Sequence, residues 1–368
     1  EAIKLAHKEY VEKHGTGGVQ NEFFRKHILP HFFAFELMMA PYAIGHLKMS
    51  LLFEELEYSL DEDERFKLYL TNTLEMEELD QVDIPGLSSL SEESHLAGDV
   101  KKNTPILVIL GNPPYSGHSV NRNDWTERLL KEDIDELQSY YKVDGEGLDE
   151  RNPKWLQDDY VKFLRFAQWK VQKAGFGVVG MITNHSYLDN PTFRGMRQSL
   201  MKTFNEIFIL DLHGNSLKKE TCPDGSKDEN VFDIRQGTAI ALFIKEKDKK
   251  TSQINHLDLY GLRNDKYEWL ENNSMQDAEY EEIKPESPFY FFVRRDTEKI
   301  KQYLNWKKIN EIFPVNSVGI VTARDKLTIK WSEEELWNTV VSFSSMDPEL
   351  ARRTFNLRRD TRDWKVEF

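Results

Sequence analysis

The sequence predicts an α/β protein: a doubly wound sheet flanked by helices, followed by a second region of different character. Three observations predict it. Helical and strand-like segments alternate along the middle of the chain, up to Lys245. Ile106-Leu107-Val108-Ile109-Leu110 is continuously apolar and partly β-branched, the mark of a strand buried on both faces of a parallel sheet. Beyond about Lys250 the alternation gives way to mixed aromatic and charged sequence without clear βα units, which predicts a domain boundary between Lys245 and Phe289.

Each element has its own reason. Ile3, Leu5, Ala6, Tyr10 and Val11 are helically spaced and end at His14-Gly15. A short strand is expected from His31 to Leu37, then a helix from about Pro41 to Glu57 with proline in its first turn. Phe66 to Thr71 reads as a strand and Gly86 to Val100 as a Ser/Gly-rich surface loop. Trp155 to Lys173 is amphipathic, with Tyr160, Phe163, Leu164 and Ala167 on one stripe, and Gly175 stops it. Val178–Ile182, Ile207–Leu212 and Thr238–Lys245 read as strands, with a helix from Phe193 to Thr203.

Composition bounds the function. The 368 residues carry 63 acids against 49 bases, a net charge of −14, with 39% hydrophobic residues. Such a chain builds a core, and disorder, collagen and coiled coil are excluded. No apolar run approaches the roughly 20 residues of a membrane-spanning helix, and no secretory signal opens the chain. A single cysteine, Cys222, excludes an internal disulfide and suits a reducing cytoplasm. The acidity is local: from Glu54 to Asp99 fifteen acids face two bases, whereas from Tyr160 to Glu220 nine bases face four acids. Arg352, Arg353, Arg358, Arg359, Arg362 and Lys365 add a second basic cluster. An acidic total is therefore compatible with a basic face for phosphates.

Asn112-Pro113-Pro114-Tyr115 directly follows the apolar strand, and active sites of open α/β sheets lie at the carboxyl ends of strands. Consecutive prolines fix φ and remove two N–H groups, leaving a rigid turn with carbonyl acceptors. Asn112 adds a side-chain carbonyl and Tyr115 a flat π-face. Acceptors beside an aromatic plate suit a planar substrate that bears an NH₂ group.

This strand-Asn-Pro-Pro-Tyr signature resembles that of S-adenosylmethionine-dependent amino-group methyltransferases, above all the DNA adenine-N6 enzymes. The flanking sequence resembles the methyltransferase region of single-polypeptide Type ISP and Type IIG restriction–modification enzymes. The residues that carry this are Phe35-Glu36-Leu37 with Ala40-Pro41-Tyr42-Ala43-Ile44, and Leu70-Thr71-Asn72-Thr73-Leu74-Glu75. Thr183-Asn184-His185-Ser186-Tyr187 with Phe193-Arg194-Gly195-Met196-Arg197 continues it, as does Val231-Phe232-Asp233-Ile234 with Gly237-Thr238-Ala239-Ile240. Gly319-Ile320-Val321-Thr322-Ala323-Arg324-Asp325 resembles the entry to those enzymes' target-recognition region.

The resemblance implies a Rossmann-like catalytic domain over residues 1–265 and the start of a DNA target-recognition domain over 266–368. It implies S-adenosylmethionine as cofactor, double-stranded DNA as partner, and flanking nuclease or helicase domains in the same polypeptide. Glu36 would accept bonds from the cofactor's ribose hydroxyls and Asn72 would touch its adenine edge. Asn112 and the Pro113 carbonyl, on the Pro113-Pro114 turn, would accept the protons of the target amine. The base would be flipped out, with Tyr115 stacked on one face and Phe232 on the other. Tyr160 and Phe163 read as core packing beside the cofactor pocket, and Arg194 and Arg197 as phosphate contacts or solvated arginines. These enzymes carry a glycine-rich turn after their first strand, and none is found upstream of Glu36. Gly15-Thr16-Gly17-Gly18 follows a helix and does not qualify. The chain thus reads as lacking that strand, with the recognition region cut at Phe368.

Two other readings belong to different classes. The same motif serves methyltransferases of protein glutamine amides, and a chain without the glycine turn fits a catalytically incompetent DNA-binding scaffold. No metal site is read: His27, His31 and His46 lack ligand spacing on one element. Asp211-Leu212-His213 lacks a nucleophile elbow, so no hydrolase is read either.

Overall fold

The computed structural model describes residues 1–15, 19–76, 88–115, 119, 121–150, 153–249, 251–296, 299–315, 322, 324–357, 360 and 364–366. Gly17 and Gly18, most of the 319–325 motif, and Arg358, Arg359 and Arg362 lie outside the described residues. The chain divides into two compact units, 1–295 and 296–368.

The first unit opens with helix α1 (Ala2–His14) and strand β1 (Phe33–Glu36), followed by α2 (Met39–Glu55) and β2 (Lys67–Leu70). Helix α3 (Ser88–Lys102) leads to β3 (Val108–Gly111) and α4 (Asp124–Lys131). Then come α5 (Asp159–Ala174), β4 (Gly177–Asn184), α6 (Arg194–Thr203), β5 (Glu206–His213) and β6 (Thr238–Lys245). Strand β7 (Gln253–Asp258), helix α7 (Arg263–Asn272) and β8 (Glu281–Ile283) complete the unit.

Six strands form one mixed sheet in the order β8-β7-β5-β6-β4-β3. β3 runs parallel to β4 and β5 parallel to β7, whereas β6 is antiparallel to both its neighbours. β1 and β2 form a separate parallel pair, with Glu36 opposite Leu70. The core of the six-stranded sheet is built from α5, α6 and the inward residues of β4 to β7, including Leu164, Val179, Leu200, Ile207 and Phe243. The β1–β2 layer closes on its own cluster, in which Phe24, Phe53, Tyr58 and Leu68 are buried.

Several expectations hold. α5 ends at Gly175, whose φ of 84° is the left-handed cap that glycine adopts without strain. Others are corrected. The segment expected to be a loop up to Val100 is helix α3: Ala97 and Val100 fall on one helical face and are buried against Tyr69. That apolar stripe outweighs the weak helix preference of its serines. Among the described residues β3 lies at the edge of the sheet, with Val108 61% and Leu110 69% exposed, so the apolar run is partly covered on one face rather than buried on both. A strand and a helix, β7 and α7, do follow Lys250, and β7 joins the sheet beside β5. The boundary expected at 265/266 therefore falls inside the first unit, which continues to Arg295.

Close packing makes one glycine testable. A Cβ on Gly195, in α6, would stand 2.4 Å from the Lys142 carbonyl oxygen and 2.5 Å from that of Tyr140. Backbone cannot swing away as a side chain can. Gly195→Ala is expected to destabilise the unit by about 1–3 kcal/mol, read as a lowered urea midpoint with an unchanged slope.

The second unit contains α8 (Glu333–Ser344) and α9 (Pro348–Thr354). Ser332 caps α8 by accepting the Glu335 N–H at 3.2 Å, and Asp347 caps α9 by accepting from Glu349 and Leu350. Among the described residues no helix is long and apolar enough to cross a membrane.

Candidate functional site

The carboxyl ends of β1, β2 and β3 carry Glu36, Asn72 and Asn112 respectively. Glu36 is half-buried, and its Oε1 accepts the Met38 N–H at 2.8 Å, which braces the entry to α2. The Asn72 amide is engaged at both ends: Nδ2 donates to Asn121 Oδ1 at 2.8 Å and Oδ1 accepts the Leu74 N–H at 3.1 Å. Asn121 in turn donates to Asp159 at the start of α5, so Asn72 belongs to a network that ties β2 to the main sheet's helix layer.

In the Asn-Pro-Pro-Tyr turn, Asn112 and Pro114 are exposed, Pro113 is buried and Tyr115 half-buried. The Tyr115 hydroxyl lies 2.6 Å from Asn112 Oδ1 and 3.0 Å from the Ile182 carbonyl oxygen, and can donate to either. Burial pushes the phenol up to about 12, so it remains a donor across the neutral range. Phe232 comes from the long segment between β5 and β6, yet its ring centroid stands 6.1 Å from that of Tyr115, with the planes tilted 34°. Its inner edge packs on the cluster of Leu210, Leu212 and Val231. The structure thus brings Asn112, Tyr115 and Phe232 together.

The remaining sequence candidates are structural. Tyr160 is buried in the main core, and Phe163 packs against the cluster of Leu129 and Trp169. Arg197 is fully buried and donates to the carbonyls of Tyr187, Asn190, Phe289 and Tyr290, which removes it from any phosphate. Arg194 pairs with Glu150 at 2.6 Å.

Sequence reasoning missed a polar cavity of about 250 Å³ at the carboxyl ends of β4, β5 and β7. His185, Asp211, His213, Glu220, His256 and Asp258 line it. Asp211-x-His213 and His256-x-Asp258, at the ends of what prove to be neighbouring parallel strands, were the available signal. His213 Nε2 bonds Asp258 at 2.7 Å and its Nδ1 faces Glu220 at 3.4 Å. Burial opposes the charge of His213, but the bonds to Asp258 and Glu220 and the field of Asp211 outweigh it and raise the imidazole to about 9. Burial likewise opposes ionisation of Asp211, yet the bond from His185 and the charges of both histidines hold it below the ordinary carboxylate range.

The raised His213 has a pH signature. Its contribution to stability is full below its ordinary value near 6.5 and is lost as pH climbs through about 9. The thermal midpoint is expected to fall between those values in the native chain, and to fall less in His213→Gln.

Residues 311–368 match the family described as the Type ISP C-terminal specificity domain. The Type II methyltransferase M.BanIII of Aneurinibacillus aneurinilyticus is 30% identical over 139 residues, 38% of this chain and 20% of that protein. The ATP-dependent Type ISP restriction–modification enzyme LlaBIII, solved bound to DNA, matches at 25% identity with a TM-score of 0.68 over 93% of this chain and 23% of that one. A nuclease-deletion mutant of the Type ISP enzyme LlaGI, in complex with a DNA substrate mimic, shares the fold. Its TM-score is 0.69 at 23% identity, over 94% of this chain and 28% of that one. The chain spans about a fifth of the curated relative's length. It is similar to Type ISP restriction–modification enzymes over nearly its whole extent, and ends in a match to their C-terminal specificity domain.

Proposed function

We propose that this chain is the methyl-transferring part of a restriction–modification enzyme, acting in the cytoplasm on the N6 amine of an adenine flipped out of double-stranded DNA. The observation that carries the proposal is Asn112-Pro113-Pro114-Tyr115 at the end of β3 with Phe232 facing Tyr115 at 6.1 Å. The match of 311–368 to a specificity domain favours DNA over a protein glutamine amide.

In this reading S-adenosylmethionine supplies an electrophilic methyl group on a sulfonium sulfur. The residues present fit its adenosine half: Glu36 keeps Oε2 for the ribose hydroxyls beside the exposed apolar side chains of Leu37 and Met38. Asn72 reaches the cofactor's adenine edge on exchanging its bond to Asn121. Among the described residues no glycine-rich strand-to-helix turn adjoins Glu36 to take the methionine half.

Asn112 Oδ1 and the Pro113 carbonyl accept the two amine hydrogens, which turns the nitrogen lone pair out of conjugation and toward the methyl group. The adenine lies between Tyr115 and Phe232. The two rings, with centroids 6.1 Å apart and planes tilted 34°, move apart and align to admit the base between them. When Tyr115 donates to Asn112 Oδ1, the shorter of its two contacts, that acceptor is oriented before the substrate arrives.

The test is transfer of labelled methyl groups from S-adenosylmethionine to mixed-sequence duplex DNA. The chain is run alone and extended upstream through a strand and glycine turn. Label on adenine N6 is expected; label on a protein amide and none on DNA would overturn the reading. Phe232→Ala is expected to weaken capture of the flipped base by about 1–3 kcal/mol, read with a fluorescent base analogue at the target position.

A further inference from the structure

We propose that Asp211, His256 and Asp258 bind one divalent transition-metal ion of the zinc class in the cavity at the carboxyl ends of β5 and β7. Each offers one ligand atom, and the three atoms lie within 4.8 Å of one another. The strand register sets this up. Asp211 stands directly opposite Asp258, and Ile209 opposite His256, so the three ligands share one sheet face.

His256 supplies the observation independent of the acids. It is 4% exposed and lines the cavity, yet Nε2 has no hydrogen-bond partner. Its Nδ1 stands 3.7 Å from Asp258 Oδ2, beyond hydrogen-bond reach. A buried imidazole without a hydrogen bond is costly, and a metal bond is one of the few contacts that repays it.

The carboxylates, by contrast, are already oriented from behind. His185 Nδ1 lies 3.0 Å from Asp211 Oδ1, and His213 Nε2 lies 2.7 Å from Asp258 Oδ1. Ligating carboxylates held by hydrogen bonds from outside the ligand set are the usual support of a metal site. The cavity's arginines and lysine do not compete for these acids: Arg295 and Lys218 pair with Asp189 and Arg294 with Glu281.

The donor set chooses the ion. Imidazole with carboxylates suits zinc, nickel or cobalt, whereas magnesium and calcium prefer oxygen alone. Tetrahedral bonds of about 2.0–2.2 Å hold ligand atoms roughly 3.3–3.6 Å apart, so a trio spread over up to 4.8 Å draws in by as much as about an ångström when it closes on the ion. The ion would clamp β5 to β7 at the root of the segment that carries Phe232 toward Tyr115.

The test uses the full chain stripped with a chelator, then titrated with Zn²⁺ or Co²⁺. One equivalent is expected to bind, to raise the thermal midpoint and, with Co²⁺, to give a visible absorption band; Mg²⁺ is expected to do neither. His256→Gln and Asp258→Asn are each expected to lose the band and the thermal shift while keeping the native far-ultraviolet spectrum. A band of equal strength in both variants would assign the ion to other histidines and overturn the proposal. So would the absence of binding by the wild-type chain, a result that does not depend on how well either variant folds.

Discussion

Asn112→Ala is expected to cut methyl transfer to DNA by about 10²–10³-fold, the loss typical of removing one preorganised polar contact to the reacting group. Duplex affinity should change little. Asn112 is exposed at the end of β3, so truncating its side chain costs the fold little. What disappears is one of two acceptors for the amine, and with it the orientation of the nitrogen lone pair. Tyr115→Phe makes the informative companion. It keeps the aromatic plate and deletes only the hydroxyl that lies 2.6 Å from Asn112 Oδ1. If that bond serves to orient Asn112, Tyr115→Phe should slow the transfer step with unchanged binding, by about tenfold for a contact of roughly 1 kcal/mol or a little more. Single-turnover transfer at saturating DNA separates the two effects. Transfer by Asn112→Ala at more than a tenth of the native rate would remove the amine-acceptor role and leave Asn-Pro-Pro-Tyr as a structural turn.

How much of this was legible in the sequence follows from the kind of signal each part sends. The strand before Asn112 and the helix ending at Gly175 announce themselves through local chemistry: an apolar run, a proline pair, a glycine at a left-handed cap. The pairing of Phe232 with Tyr115 was expected only through resemblance, because 117 positions of chain separate two residues that the β5–β6 connection brings together. The edge position of β3 was not legible, since an apolar run says that a face requires cover and not what covers it. Helix α3 was hidden by serines whose side chains favour turns, until Ala97 and Val100 found Tyr69. Arg197 looked like a phosphate contact because a charge in sequence suggests solvent; four backbone carbonyls from two distant segments overrule that. The histidines and acids of the cavity escaped for the same reason as β7. Asp211 and Asp258 become neighbours only when β7 adds to the sheet in parallel beside β5, a pairing between segments with no short-range signal.

The largest expected loss of stability lies at Asp228 and Lys266, whose side chains are both wholly removed from solvent and meet at 2.7 Å. Every bond of this pair holds a separate piece of chain. Lys266, on α7, also donates to the carbonyls of Leu212 and Glu229, each at 2.7 Å. Asp228 accepts the N–H groups of Gly214 at 2.6 Å and Gly261 at 2.9 Å. The pair therefore pins the start and the middle of the β5–β6 connection, a few residues before Phe232, to the end of β5 and to α7. Lys266→Met leaves a buried carboxylate without its cation and two carbonyls without their donor. Asp228→Asn leaves a buried ammonium without its anion. Each is expected to cost about 3–5 kcal/mol, a large part of the 5–15 kcal/mol that holds a typical domain together. The double variant should cost less than the sum of the singles, because neither charge is then stranded. Equilibrium urea unfolding of the four proteins measures this directly, and a loss below about 1 kcal/mol in either single variant would mean that water reaches the pair. The consequence for function follows from the same contacts. At temperatures where Lys266→Met is still folded, the segment carrying Phe232 has lost its anchor, so transfer to DNA should fall before the far-ultraviolet signal does, whereas Gly195→Ala, which strains α6 against the Tyr140 and Lys142 carbonyls, should lose both together.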